Sequence, residues 1–520
     1  MYFISGTFIL FLVLSVILYY IFPDRLKWTV LLAVSAVFYL SGGLTAGLYL
    51  LFTAATTYTA ARILDRLNAI RSEIPKSEKE LHEKNKRHKK SAAAICLLLN
   101  FGMLFMLKYL DFTLDSIGEL IGLPIAHPNF IMPLGVSFFI FQSSGYVIDV
   151  YRDKYGADRN FLKYLLFVSY FPLMVQGPIS RHDRLAEQLI QPHKLSCDDL
   201  KEGIQRIMWG YFKKMVIADR AAVVVTAFYS NYDSHGGAVA AFAVLMYCIN
   251  LYCDFSGGID ITIGASRLFG IKLEENFCRP IFATSLAEYW RRWHITLGGW
   301  MRDYVFYPLS LSKTFGKIGK WARSRFGGKI GKILPTAMAT FIVYFIIGIW
   351  HGANFRYIAY GFLNGTIITS SLLLAGTYSK LREKLKINQN SVLWRIFSIV
   401  RTCFIVFLGR YITRSPRLLV GLELIGRTLN PFTFNFSEIT GGALLTLGLT
   451  ASDFAIIAVS CAVMLGVEYF CEYRAPLNDV LSKKNALIQW IPMVMIMLAI
   501  LFFGIMRGSY ISSEFIYKQF

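Results

Sequence analysis

One imidazole stands between two apolar, helix-length runs of this chain. The stretch Pro335 to Gly365 reads PTAMATFIVYFIIGIWHGANFRYIAYGFLNG, with His351 near its centre. An ionisable side chain held in hydrocarbon costs about 2.5 kcal/mol or more, so it points to function by default. Histidine also has the side-chain pKa best placed to take up a proton near neutral pH. His351 is therefore either a proton acceptor in a membrane-embedded site or a structural histidine bonded to a neighbouring helix. A second histidine, His294, lies in WRRWHITLGGWMRDY, Trp290 to Tyr304. Set out at about 100° per residue, this stretch gathers Trp290, Trp293, His294, Leu297, Trp300 and Met301 on one face, and Arg291, Arg292, Arg302 and Asp303 on the other. It is expected to form one helix in the cytoplasmic membrane interface, its Trp side toward lipid or protein and its Arg side toward phosphate. Membrane anchoring alone is the plainer reading of the same pattern.

Other chemistries find no support in the residue pattern. The eight cysteines lie mostly within apolar runs, with no CxxC pair and no metal-like spacing, so they read as free core thiols. No GxGxxG or Walker motif demands a nucleotide, and no metal site is expected. Ser143 and Ser256 have no histidine beside them, so a Ser-His-Asp triad is not legible. Asp149 and Asp254 are expected to bond neighbouring helices rather than to act as acids.

The elements that must position the histidines are membrane spans. Of 520 residues, 55% are hydrophobic and 17% charged, and mean hydropathy is +0.47. Soluble proteins carry about a quarter charged residues, so this composition describes a polytopic membrane protein. The net charge of +21 lies in short loops between apolar runs, which is the positive-inside pattern of a membrane protein and not the footprint of a nucleic-acid partner. Ile4 to Phe22 is long enough to cross the hydrocarbon core and is expected to be a retained first span. Spans follow near Trp28 to Leu40, Leu44 to Ala61 and Ala92 to Leu110. The basic segments Arg62 to Lys90 and Lys313 to Lys332 are expected to be cytoplasmic loops, which places the N-terminus outside. Several later runs are short or interrupted by Gly, Pro and Asp, and broken helices at membrane depth need protein or a watery cavity to satisfy their backbone. The expectation is one all-α membrane domain over residues 1–520, with about eleven to thirteen transmembrane or re-entrant helices around a central cavity, plus interfacial cytoplasmic helices.

Five stretches of the chain carry a family resemblance: PLGVSFFIFQSSGYVIDVYR (Pro133 to Arg152), YFPLMVQGPISR (Tyr170 to Arg181), the long run from Tyr252 to Leu309, IGIWHGANF (Ile347 to Phe355) and FIYKQF (Phe515 to Phe520). Together, and in this order, they resemble the membrane-bound O-acyltransferases. The likeness is greatest to members that acetylate exported polysaccharides such as alginate, and members that transfer D-alanine to teichoic acid share several of the same patterns.

The resemblance places the family's near-invariant membrane histidine at His351 and its second histidine at His294. Acyl transfer from a thioester to a hydroxyl needs a base for the hydroxyl proton and donors for the developing oxyanion. His351 suits the base. His294 is expected either to orient the donor thioester or to be a structural histidine. Asn354 is expected to orient substrate or donate to the oxyanion if the helix continues past His351, and Trp350 to pack the acyl chain; both also read as helix-packing residues. Arg291, Arg292 and the basic loop suit the phosphates of coenzyme A. The resemblance implies a plasma-membrane enzyme using acetyl-CoA as donor, with no tightly bound cofactor. It further implies an exported polysaccharide as acceptor and an extracytoplasmic acetyltransferase as partner protein. A non-catalytic polysaccharide channel is the rival from another class.

Overall fold

The computed structural model describes residues 3–128, 130, 132–133, 135–477, 480 and 483–505. The expected FIYKQF motif and the end of the last expected span at Met506 lie outside the described residues. Among the described residues the regular structure is helical, apart from one isolated β-bridge between Phe277 and Trp293. Five helices are long and apolar enough to cross a membrane: Lys79–Lys108, Gly237–Arg267, Gly328–His351, Val392–Arg414 and Ala451–Tyr473. Phe355–Leu373 with Ala375–Lys384 makes a sixth if the pair, bent by 62°, is taken as one span. Of the other expected spans, Leu44 to Ala61 falls within the 30-residue helix Leu44–Glu73, and others fall on shorter apolar helices such as Gly6–Ile21. The protein is a multi-pass, all-α membrane protein.

Two basic segments expected as loops are largely helix. Leu44–Glu73 and Lys79–Lys108 are each 30 residues long, about 45 Å at the usual rise, and so outrun the roughly 30 Å hydrocarbon core. Their charged ends are rich in Lys, Arg and Glu, all good helix formers, and a short turn containing Pro75 joins them. Likewise Lys313–Phe326 is a helix, capped by Ser312 and ended at Gly327 with φ of 88°. It packs back on the start of Gly328–His351, where a Cβ on Gly319 would lie 3.1 Å from both the Gly331 carbonyl and the Pro335 ring.

The chain gathers into two compact units, Met1–Ile207 with Ile259–Glu275, and Met208–Gly258 with Asn276–Phe520. In the first, Arg206 pairs with Asp260 and Glu275, and Phe11, Phe38 and Phe171 form an aromatic cluster. Asp149 there bonds Lys154 and the Tyr155 hydroxyl. The second unit carries both histidines. Its core packs Phe212, Val216 and Ile217 against Cys253 and Met464. Phe212–Ala218 is π-helical and turns Lys213 and Lys214 inward. Lys214 meets Asp254 at 2.6 Å and Asp219 at 2.8 Å, while Lys213 donates to Ser256 at 2.8 Å. Asp254 and Ser256 thus hold helices together.

Candidate active site

His351 is the last residue of Gly328–His351, and what fixes it is a seam of small residues. Gly348 and Gly361 face each other so closely that a Cβ on Gly348 would lie 2.6 Å from the Gly361 Cα, and one on Gly361 2.8 Å from the Gly348 Cα. Close backbone approach through small residues is how membrane helices pack without a hydrophobic driving force. The helix then stops. Gly352 caps it in an extended conformation, and a Cβ there would strike the Tyr357 ring at 2.6 Å. Asn354 is therefore not a continuation of the His351 face, as a continuing helix would have made it. It is the N-cap of Phe355–Leu373, its side-chain oxygen accepting from the Arg356 N–H at 3.1 Å.

His351 opens on a cavity of about 20 Å3, room for about one water. Trp290, Trp293, Tyr357, Tyr360 and Arg410 share its wall. Arg410, on Val392–Arg414, is buried, donates to the Tyr289 hydroxyl at 2.9 Å, and lies 5.3 Å from the Trp293 ring and 5.7 Å from the Tyr360 ring. Among the described residues no carboxylate pairs with it. His351 lies 6.5 Å from the same Tyr360 ring, so imidazole and guanidinium meet across one aromatic side chain.

His294 is set differently. The expected single helix from Trp290 to Tyr304 is broken. Leu286–Arg292 ends, Trp293 and His294 form a link, Ile295–Met301 begins, and Arg302–Phe306 is π-helical. The cause is a backbone staple: Cys278 N–H donates to Arg292 C=O at 2.9 Å and Ile295 N–H to Asn276 C=O at 3.0 Å. It holds His294 left-handed, with φ of 49°, an uncommon conformation for a non-glycine residue and one that gathers at functional sites. His294 is buried, 5.0 Å from the Phe255 ring and 5.7 Å from the Trp350 ring. Its Nδ1 lies 3.2 Å from Asn276 Oδ1, which also accepts from the Thr296 N–H and hydroxyl. An oxygen accepting from two such donors is the acceptor here too, which puts the proton on Nδ1 and leaves Nε2 as the basic nitrogen. Burial pushes the pKa down to about 3, so His294 is neutral at physiological pH. The Trp350 ring lies 5.1 Å from the His351 ring and 5.7 Å from the His294 ring, so it neighbours both imidazoles.

The two arginines also part company. Arg292 bonds Glu288 at 2.8 Å and Glu472 at 3.0 Å, and Glu472 pairs with Arg279 as well. Arg292 thereby helps anchor the His294 turn, while Arg291 stays exposed.

With both histidines in one unit, comparison with known proteins decides between enzyme and channel. Residues 151–409 match the model of the MBOAT, membrane-bound O-acyltransferase family. The chain is 32% identical over 389 residues to a Pseudomonas putida protein named "Probable alginate O-acetylase AlgI", covering 73% of each chain. This chain belongs to the membrane-bound O-acyltransferase family. The acyltransferase is also 28% identical over 354 residues to the peptidoglycan O-acetyltransferase of Helicobacter pylori, covering 63% of each chain. To the teichoic acid D-alanyltransferase of Bacillus subtilis it is 28% identical over 293 residues, 55% of this chain and 70% of that one. The acyltransferase also carries residues that sequence reasoning passed over, namely Arg410, Tyr360 and Asn276. The one signal for Arg410 was a cation in VFLGRYITR, near the end of an apolar run where it resembles an interfacial anchor.

Proposed function

We propose that this O-acyltransferase moves an acetyl group from acetyl-CoA toward hydroxyls of an exported polysaccharide, with His351 as general base. The observation that carries the reading is the cavity shared by His351 and a buried arginine that no carboxylate among the described residues neutralises. A buried cation is costly unless an anion joins it, and acyl transfer generates one at the carbonyl oxygen. The hydroxyl oxygen attacks the thioester carbonyl carbon as His351 takes the hydroxyl proton. Arg410 donates to the oxyanion. The C–S bond then breaks and the thiolate leaves, recovering the proton from His351 as free thiol. Neutral His294, whose ring shares Trp350 as a neighbour with His351, orients the donor by accepting at Nε2. Asn354 places the turn that ends the His351 helix. The dense Lys and Arg of the Arg62–Lys90 and Lys313–Lys332 segments put both on the cytoplasmic side with the donor, and the N-terminus outside. Acceptor and an extracytoplasmic acetyltransferase partner then meet the acyl group from the other side of the plasma membrane.

Similarity to alginate and peptidoglycan acetylating proteins supports acetyl transfer to a glycan, and similarity to teichoic acid D-alanyltransferases keeps D-alanyl transfer from a carrier protein as the alternative. The test is His351→Gln in cells at matched membrane levels, measuring ester groups on purified glycan. Removing a general base costs about 100-fold to 10,000-fold. Glutamine keeps a hydrogen-bonding group but takes no proton, so near-normal esterification would return His351 to helix packing. Alanyl in place of acetyl esters on wild-type glycan would favour the alternative.

A further inference from the structure

A second, larger pocket of the same unit is lined by two of the helices that line the His351 cavity. It has a volume of about 620 Å3, within the range of small-molecule sites. Three guanidiniums reach it: Arg382 from Ala375–Lys384, and Arg395 and Arg401 from Val392–Arg414. Among the described residues none of the three has a carboxylate partner. Arg401 donates to the Thr284 carbonyl at 2.9 Å, Arg395 lies over the Tyr473 ring at 4.6 Å, and the buried Nε of Arg382 has no hydrogen-bond partner among the described residues. Among the described residues the single acid on the wall, Glu288, is already bonded to the Thr284 N–H and hydroxyl and to Arg292. Three cations around a polar pocket whose only carboxylate is spent form a receptor for a multiply charged anion, and guanidinium forks are matched to phosphate. Trp394 adds an aromatic face.

The pocket communicates with the reacting centre through two helices. Leu286–Arg292 gives Glu288 to this pocket, Trp290 to the wall of the His351 cavity, and Tyr289 as hydrogen-bond partner to Arg410. Val392–Arg414 gives Arg401 to the one and Arg410 to the other, nine residues or about 14 Å along the helix. That separation suits a ligand with phosphates at one end, a slender arm, and a carbonyl at the other. We infer that this pocket binds the phosphorylated nucleotide end of the thioester donor, its phosphates on Arg382, Arg395 and Arg401 and its base against Trp394. The inference rests on the proposed use of a coenzyme A thioester and replaces Arg292 with these three arginines as the phosphate-binding group.

The test uses the full chain in nanodiscs with Arg382→Gln, Arg395→Gln and Arg401→Gln, singly and combined, and two readouts. In turnover, each single change is expected to raise KM for acetyl-CoA by about tenfold or more, the loss of one charge-assisted bond, with kcat little altered. In calorimetry, adenosine 3′,5′-bisphosphate is expected to bind the wild type and to lose affinity in the triple variant, while inorganic phosphate binds weakly to both. Unchanged KM and unchanged bisphosphate affinity in a folded triple variant overturn the site while leaving acetyl transfer at His351 standing. Bisphosphate binding without acetyl-CoA turnover keeps the site and overturns the donor reading. Loss of the bisphosphate signal on adding anionic phosphatidylglycerol to neutral nanodiscs assigns the arginines to lipid headgroups and overturns the inference.

Discussion

Replacing Arg410 by methionine should separate catalysis from stability. The change deletes the hydrogen bond to Tyr289, about 1.5–3 kcal/mol for a charged donor, and two ring contacts at about 0.5–2 kcal/mol each. Against this stands the desolvation of a guanidinium that no carboxylate among the described residues offsets, several kcal/mol for one ion, which methionine removes while filling similar volume. The two sums are of the same size, so the variant should melt within a few degrees of the wild type. Catalysis has no such compensation. Loss of one oxyanion donor costs about 2.7–4 kcal/mol, or about 100-fold to 1,000-fold in kcat. Arg410→Lys keeps the charge without the planar fork and should fall between. The assay is release of free thiol from acetyl-CoA by protein in nanodiscs, alongside a thermal melt of each variant. Methionine activity within threefold of wild type, or activity lost only in proportion to a fall in melting temperature, would refute the oxyanion role and make Arg410 a packing residue.

Gly361→Val should cost about 1–3 kcal/mol or more and abolish turnover, because its Cβ alone overlaps the Gly348 backbone and the Tyr344 carbonyl and so displaces the helix that ends in His351; a variant that melts and turns over normally would break the seam argument. His294 should make the protein acid-sensitive. Its folded pKa of about 3 lies below the ordinary 6.5, so between these values the unfolded chain binds the extra proton and stability falls as pH drops, by up to about 1.4 kcal/mol per unit. His294→Gln should flatten melting temperature against pH from 6.5 to 4; an unchanged slope would place the buried, neutral imidazole in doubt.

What the sequence disclosed and what it hid follow one physical rule. Apolar runs and a lone histidine between them are local facts, so the helical membrane fold and the place of His351 between two apolar helices could be read directly. Asn354 could not, because a helix that ends at Gly352 and one that continues through it share the same apolar composition. Arg291 and Arg292 look alike in sequence, yet Glu472, 180 residues away, takes only the second. The left-handed turn at His294 is equally remote in origin, since Asn276 and Cys278 supply the backbone groups that impose it. Arg410 carries the largest lesson. A cation at the end of an apolar run is ordinarily an interfacial anchor, and only the packing of Val392–Arg414 against Leu286–Arg292 and Phe355–Leu373 brings it to the His351 cavity.

The different settings of the two histidines decide which of them can cycle a proton. Protonating His294 at pH 7 would require lifting a group with a pKa of about 3 through four units, a cost of about 5 kcal/mol, and would place a second cation among Phe255, Trp293 and Trp350. A base that must become imidazolium in the transition state cannot carry that penalty and still be effective. Its Nδ1 proton, held by an oxygen that two Thr296 donors already polarise, makes it instead a rigid acceptor of fixed orientation. His351 has the complementary properties. It is half-buried on the wall of a cavity, at the C-terminal end of its helix, and it shares that wall with a guanidinium that, in the proposed mechanism, attracts the negative charge created when the base takes its proton. In the proposed mechanism the ion pair between oxyanion and imidazolium forms only in the transition state, and Arg410 stabilises the oxyanion partner of that pair. In the proposed mechanism the proton is therefore assigned to His351 and the orientation of the donor to His294, with the Trp350 ring in contact with both imidazoles.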